Sequence, residues 1–198
     1  DLAKQGHKVS ANLRGSKADL WDGGHRIPFI VKWPGRVKAG SESDQLICLT
    51  DLFSTVGEII GVKVPSGSCE DSVSFLPALS GEKIKTSRKG VVHHSFTGHF
   101  AYRMGKWKLL LAKASGGWTS PKENQVKAGA PIAQLYNMDM DIGEQKNLYE
   151  KENKIVSEIL SNLESDVMSG RSTDDPKAKN DISEIVLWKS GKKSKSKQ

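Results

Sequence analysis

Ile27-Pro28-Phe29-Ile30-Val31-Lys32-Trp33, closed by Pro34-Gly35, is the stretch that decides the fold class. Its β-branched and aromatic residues run almost without a polar break, the pattern of a strand covered on both faces in a helix-flanked sheet. Pro28 has no N–H to offer a neighbouring strand, so it must stand at the strand's first residues. Upstream, residues 1–24 are polar and rich in Gly, Lys and Asp, and read as a loop. Downstream, Thr50 is the expected N-cap of a helix, with Asp51 favourably placed in its first turn. Leu52, Val56, Ile59 and Ile60 then recur at i, i+4, i+7 and i+8, and Gly61 supplies the stop. A second, shorter helical turn is predicted over 75–79, before Ser80-Gly81.

From residue 90 the periodicity shortens. Residues 91–94, 100–103 and 107–111 read as strands, with Met104-Gly105-Lys106 as a compact hairpin connection. Residues 113–131 form a long Gly/Ser/Lys-rich loop around Trp118, 134–138 a last strand, and 139–147 a turn region. Val156, Leu160, Leu163 and Val167 then mark a closing helix. The order predicts an α/β chain: the end of a large sheet domain over 1–85, followed by a small α+β subdomain over 86–170. That subdomain consists of an antiparallel sheet and a terminal helix, and a basic tail follows over 171–198.

Composition narrows the function classes. The chain has 198 residues, 36% of them hydrophobic, with a net charge of +7. Residues 189–198 (KSGKKSKSKQ) carry five lysines and no acid, which leaves +2 for residues 1–188 once those five are subtracted. Such a run reads either as a solvated, disordered end or as a contact for an anionic polymer or membrane surface. No aromatic residue interleaves the lysines, so nucleic acid is not an expected partner. No apolar run approaches the ~20 residues of a membrane span. Cys48 and Cys69 lack metal-ligand spacing; Cys48 reads as a small core hydrophobe and Cys69 as part of a polar loop, and a bridge between them is left open by the sequence.

Three stretches, in this order and at these intervals, resemble the formylglycine-dependent sulfatases of the alkaline-phosphatase-like superfamily. The first is Leu13-Arg14-Gly15-Ser16-Lys17-Ala18-Asp19-Leu20-Trp21-Asp22-Gly23-Gly24-His25-Arg26-Ile27-Pro28, running on into Val31-Lys32-Trp33-Pro34-Gly35. The second is Asp51-Leu52-Phe53-Ser54-Thr55-Val56, with Asp71-Ser72-Val73-Ser74-Phe75-Leu76-Pro77 downstream. The third is Tyr102-Arg103-Met104-Gly105-Lys106-Trp107-Lys108, followed by Gln134-Leu135-Tyr136-Asn137 and Gly143-Glu144-Gln145-Lys146-Asn147-Leu148. The resemblance covers residues 13 to about 165. It implies hydrolysis of a sulfate ester, on a sulfated carbohydrate or a small aryl sulfate, by the full-length enzyme, and a periplasmic or secreted location.

The resemblance also implies where the chemistry sits. A lysine in the loop before the GG-x-R-x-P strand reaches the sulfate in this family, and that position falls on Lys17. An ammonium there suits a group whose oxygens stay negative while further charge develops on the leaving oxygen. His93, His94, His7 and Arg14 are the candidate substrate-binding residues; strand alternation lets at most one of His93 and His94 face a cleft. His25 and His99 are further neighbours, and Trp118 either stacks on a sugar or anchors its loop. The nucleophile would be a formylglycine from a C-x-P-x-R or S-x-P-x-R motif, which this sequence does not contain. The calcium cage, built of aspartates and an asparagine, would lie N-terminal to this region. The chain by itself is therefore expected to bind neither cofactor, to depend on the N-terminal remainder of the sulfatase domain, to be inactive alone and to be prone to aggregate. One departure stands out: Ser16-Lys17-Ala18 and Asp22-Gly23-Gly24 replace the family's usual Gly-Lys-Gly and Glu-Gly-Gly. Two other readings remain open, a related phosphodiesterase or phosphonate hydrolase, and a non-catalytic anion- or polysaccharide-binding module.

Overall fold

The computed structural model describes residues 2–189. The lysine-rich 190–198, read above as a solvated end or an anion contact, lie outside the described residues. Residues 2–27, 92–161 and 184–189 form one compact unit, and 28–91 with 162–183 a second. Residues 2–27 thus group with the small sheet, a different partition from the sequence-based division at 85/86.

The first unit is built on a four-stranded sheet of β1 (Val91–His94), β2 (Phe100–Met104), β3 (Trp107–Leu110) and β4 (Gln134–Asn137), in that spatial order. β2 pairs antiparallel with β3 from Ala101↔Leu110 to Met104↔Trp107, and β3 with β4 from Trp107↔Asn137 to Leu110↔Gln134. Only Gly105 and Lys106 join β2 to β3, and Gly105 takes the positive φ of +52° that this tight turn demands. Leu20, Trp21, Ala101, Leu110, Ala112, Tyr136 and Met138 form the core against the sheet. Gln134 is buried among them with its amide fully used. It accepts from Trp21 Nε1 (3.1 Å) and Tyr136 OH (2.7 Å) and donates to the carbonyls of Ala112 and Ala114. A buried amide is tolerated on those terms.

In the second unit α1 (Asp51–Ile59) and α2 (Leu76–Leu79) are present. Residues 27–33, however, are not a strand: they have no regular structure and no ladder partners among the described residues, and Ile30 is 90% exposed. A strand is defined by its neighbours' hydrogen bonds, which local apolarity cannot supply. The helix stripe behaves likewise. Leu52, Val56, Ile59 and Ile60 face outward, while Asp51, Thr55 and Gly57 are buried. Thr50 makes no side-chain cap, and Asp51 ties the start of α1 to residues outside the helix. Its carboxylate accepts from Cys48 N and Val73 N (both 2.9 Å) and pairs with buried Arg88 at 2.5 and 2.8 Å. Cys48 is half-buried, its sulfur against Thr50 Oγ1 and Arg88 rather than in a core, and both cysteines are free thiols.

The closing helix α3 (Asn153–Ser169) buries Val156, Ile159 and Leu163. Beyond it the backbone is irregular, yet Arg171 is buried, bonding the Pro176 carbonyl (2.7 Å), Thr173 and Asp175. No helix among the described residues is long and apolar enough to cross a membrane.

Candidate active-site loop

The loop carrying Lys17 is shaped by close backbone approaches. A Cβ on Gly23 would stand 2.4 Å from the Gly15 carbonyl oxygen, and one on Gly24 2.2 Å from that of Asp19. Only glycine lets the Asp22–Gly24 turn fold back so tightly onto 14–19. That contact is the physical content of the Gly-Gly pair. Gly23 N donates to the Arg14 carbonyl (2.8 Å), which closes the loop. Ala18 takes φ +88°, a conformation that strains a residue with a Cβ and that glycine adopts freely. The departure from Gly-Lys-Gly therefore carries a backbone cost at the residue after Lys17.

Asp19 is buried, and its carboxylate is fully committed to backbone amides. One oxygen accepts from Ser16 N (2.8 Å), the other from Trp118 N (2.8 Å) and Thr119 N (3.1 Å). Leu20 N donates to the Ser115 carbonyl, and Ser16 and Thr119 hydroxyls meet at 3.1 Å. Segment 115–119 thus clamps the Lys17 loop, and again the approach needs glycine: a Cβ on Gly117 would lie 2.3 Å from the Ala18 carbonyl oxygen. Lys17 itself is exposed and has no ion pair among the described residues. Its nearest acid in sequence, Asp19, is occupied by those amides.

Under the loop lies a buried ion network. Lys108, on β3 between Trp107 and Leu109, donates to Asp22 Oδ1 (2.6 Å) and Glu144 Oε1 (2.8 Å), and Asp22 N donates to Glu144 Oε2 (2.6 Å). Burial alone would raise Asp22, but contact with His25 and the Lys108 ammonium outweigh it and hold the carboxyl below its usual range. Burial raises Glu144, because Lys108 cannot fully compensate two carboxylates. Arg14 is half-buried and fixed. It donates to the Glu144 carbonyl (2.6 Å) and Tyr136 OH (3.3 Å), and its guanidinium lies 3.7 Å from the Trp21 ring centroid. Burial pushes the Tyr136 phenol up to about 12.

The histidines separate. The His93 ring packs on His25 with centroids 3.9 Å apart, and His93 Nε2 and both His25 nitrogens are buried without a hydrogen-bond partner of ordinary length. His25 Nε2 stands 3.6 Å from Asp22 Oδ1. Burial holds both rings below the usual histidine range, so they are neutral at physiological pH. His94, on the opposite face of β1, is exposed at its edge and meets Phe100 edge-on at 4.2 Å. His99 is buried, with Nδ1 2.8 Å from Thr97 Oγ1. His7 is exposed on the N-terminal stretch.

Sequence reasoning did not single out Asp19, Lys108 or Phe96. Lys108 carried a usable signal, since a lone cation inside Trp107-Lys108-Leu109-Leu110-Leu111 must be buried with an acid if the strand is central. No group of three or more His, Cys, Asp or Glu side chains among the described residues could hold a metal ion. The acids nearest the loop are committed: Asp22 and Glu144 to Lys108, Asp19 to amides.

Residues 16–115 match the family described as N-sulphoglucosamine sulphohydrolase, C-terminal. An N-acetylgalactosamine-6-O-sulfatase of Bacteroides thetaiotaomicron is 30% identical over 163 residues, covering 81% of this chain and 31% of that protein. Arylsulfatase G of Rattus norvegicus is 27% identical, covering 76% of this chain and 31% of its own length. A solved structure from work on glycosaminoglycan metabolism by Bacteroides thetaiotaomicron superimposes with a TM-score of 0.68 at 27% identity, covering 82% of this chain and 33% of that one. The chain thus spans about a third of the length of the relatives it matches.

Proposed function

The chain belongs to the sulfatase family, to its C-terminal portion, and from that premise we propose that the complete protein hydrolyses the sulfate ester of a sulfated carbohydrate, with Lys17 as the catalytic residue this chain contributes. The reading is carried by one observation: Lys17 is an unpaired, exposed cation on a loop whose neighbours on both sides are fixed by hydrogen bonds and glycine contacts. A rigid mount spares the backbone any ordering cost when the target arrives, leaving only the side chain's own rotamer freedom to be lost.

Net hydrolysis breaks the S–O bond of the ester, forms a new S–O bond to an oxygen that water supplies, and returns the alcohol, which takes up a proton from that water. The Lys17 ammonium hydrogen-bonds a sulfate oxygen and offsets negative charge as it shifts toward the leaving oxygen. Arg14, held against Glu144, Tyr136 and Trp21, positions the loop from beneath. His94, at the exposed edge of β1, is the substrate-facing member of its pair, and His93 backs the turn through His25. His7 is proposed as an outlying substrate contact. Formylglycine would supply the nucleophile and calcium the electrophilic support; the sequence contains no C-x-P-x-R or S-x-P-x-R motif, and no acidic cluster among the described residues would hold the metal. A periplasmic or secreted location goes with the family.

Lys17→Ala in the complete protein should lower kcat on a sulfated saccharide by roughly 100-fold or more, the loss seen when an oxyanion-type donor is removed. Its melting temperature should stay put. Near-normal turnover would sink the assignment.

A further inference from the structure

The 115–119 segment that clamps the Lys17 loop and the turn after β1 each present a large aromatic side chain to solvent. Phe96 is 71% and Trp118 52% exposed, and their ring centroids lie 5.2 Å apart with the planes tilted by 56°. Neither ring is a loose surface feature. Phe96 N donates to the Ala18 carbonyl at 2.9 Å, and Trp118 N to buried Asp19 Oδ1 at 2.8 Å. The two backbones are therefore pinned to the residues immediately after Lys17. The Phe96 turn is closed by Ser95 N donating to the His99 carbonyl, and Thr97 Oγ1 donates to the Gly116 carbonyl, tying this turn to the Trp118 loop. Lys189 Nζ reaches the Thr97 carbonyl at 2.9 Å, which adds a second cation to the same edge.

Exposed aromatic rings on an over-determined mount are costly to leave in water and are usually a contact surface. Here the occupant follows from the charges beside them. Lys17 and Lys189 call for an anionic ligand, while the rings offer an apolar surface that the C–H face of a pyranose covers well. We propose that Phe96 and Trp118 form a sugar-stacking platform that sets a sulfated saccharide over Lys17, binding the ring whose sulfate is cleaved or its neighbour. This deepens the sulfatase reading and rests on it. The platform makes the protein a carbohydrate sulfatase in preference to one for small aryl sulfates. A ring stack contributes alike to ground and transition states, so it governs KM more than kcat.

The test uses the complete protein, with a chondroitin 6-sulfate tetrasaccharide and 4-nitrophenyl sulfate as the two probes. The Phe96→Ala/Trp118→Ala double variant should raise KM for the tetrasaccharide by about tenfold or more, the loss typical of aromatic anchor residues, with kcat changed far less. The rise should exceed that for 4-nitrophenyl sulfate several-fold, and Trp118→Tyr, which keeps a ring, should recover most of it. Four results overturn the platform: an unchanged KM; an equal or larger effect on the aryl sulfate; no recovery in Trp118→Tyr; or failure of the unaltered protein to bind the tetrasaccharide while it cleaves 4-nitrophenyl sulfate. Lys17→Ala run in parallel separates the two claims. If it is inactive and the double variant has a normal KM, only the platform falls. If it turns over normally, the reading of Lys17 falls, whatever the aromatic pair does.

Discussion

The loop-and-sheet region and the segment 28–91 solve the problem of order in opposite ways. The first buries Leu20, Trp21, Tyr102, Leu109, Leu110, Leu135 and Tyr136 almost completely and seals an ion network beneath them. The second is held by polar contacts around one carboxylate: Asp51 gathers Arg88, Cys48 N and Val73 N, and Thr55 Oγ1 links the Asp51 carbonyl to Phe75 N. Its apolar residues, Ile30, Leu49, Leu52, Phe53 and Ile60 among them, are left on the surface. A self-contained core makes a rigid mount for Lys17. A polar knot with its apolar face outward is the signature of a segment that depends on something else for cover.

The largest expected effect strikes the sealed network. Lys108→Ala would leave Asp22 and Glu144 facing each other, buried, with no cation between them. Breaking a buried pair in this way costs about 3–5 kcal/mol, so denaturant unfolding should shift by that order. A loss under about 1 kcal/mol would mean that water reaches the site and that the network is not sealed.

A smaller effect comes from pH. His25 and His93 both titrate below the usual histidine range in the folded state, because burial opposes their charged form. A depressed histidine favours the fold while it is neutral. Its contribution is therefore fully present above the unfolded value of 6.5 and is lost as pH falls from there toward the folded value. Stability should begin to drop as pH falls through 6.5 and keep dropping below it, with a slope on the order of 1 kcal/mol per pH unit for each ring. Thermal melts across that range would show it. Glu144 acts with the opposite sign: its raised carboxyl favours the fold when protonated, below the ordinary carboxylate value of 4.5, so it cannot cause a loss near pH 6. His99, which is buried, is also depressed by burial and adds to the slope. His93→Phe should flatten it, and an unaltered slope in that variant would remove the His25–His93 pair as its cause.

The same contrast explains what the sequence made legible. The strands at 91–94, 100–103 and 134–138, the hairpin at Gly105 and the closing helix were all readable, because their partners lie close in sequence and their periodicity reports their own burial. Residues 27–33 and the α1 stripe were misread for one reason: alternation and helical spacing reveal which face is apolar, never whether anything covers it. Around the candidate site, the Lys17 position and the Gly-Gly pair came from motif resemblance, and the structure adds why the glycines are needed. The role of Asp19 was invisible, since its partners Trp118 and Thr119 lie about a hundred residues away. Phe96 carries no local signal for the same reason; its tie to Ala18 is non-local.

The smallest effect tests the other half of the comparison. Leu52 and Val56 are 50% and 44% exposed on α1, so in the 198-residue chain neither Leu52→Ala nor Val56→Ala removes a buried side chain. Each should change stability by no more than about 0.5 kcal/mol, as surface substitutions do, while reducing aggregation through loss of exposed apolar area. A cost above about 1 kcal/mol would show that the stripe is already covered and that the two regions are alike. The same substitutions in the complete protein sharpen the point. If α1 packs there against the rest of a sulfatase domain, each truncation should cost about 2 kcal/mol or more. Cover supplied from elsewhere would then account for a helix whose spacing foretold burial that its own segment does not provide.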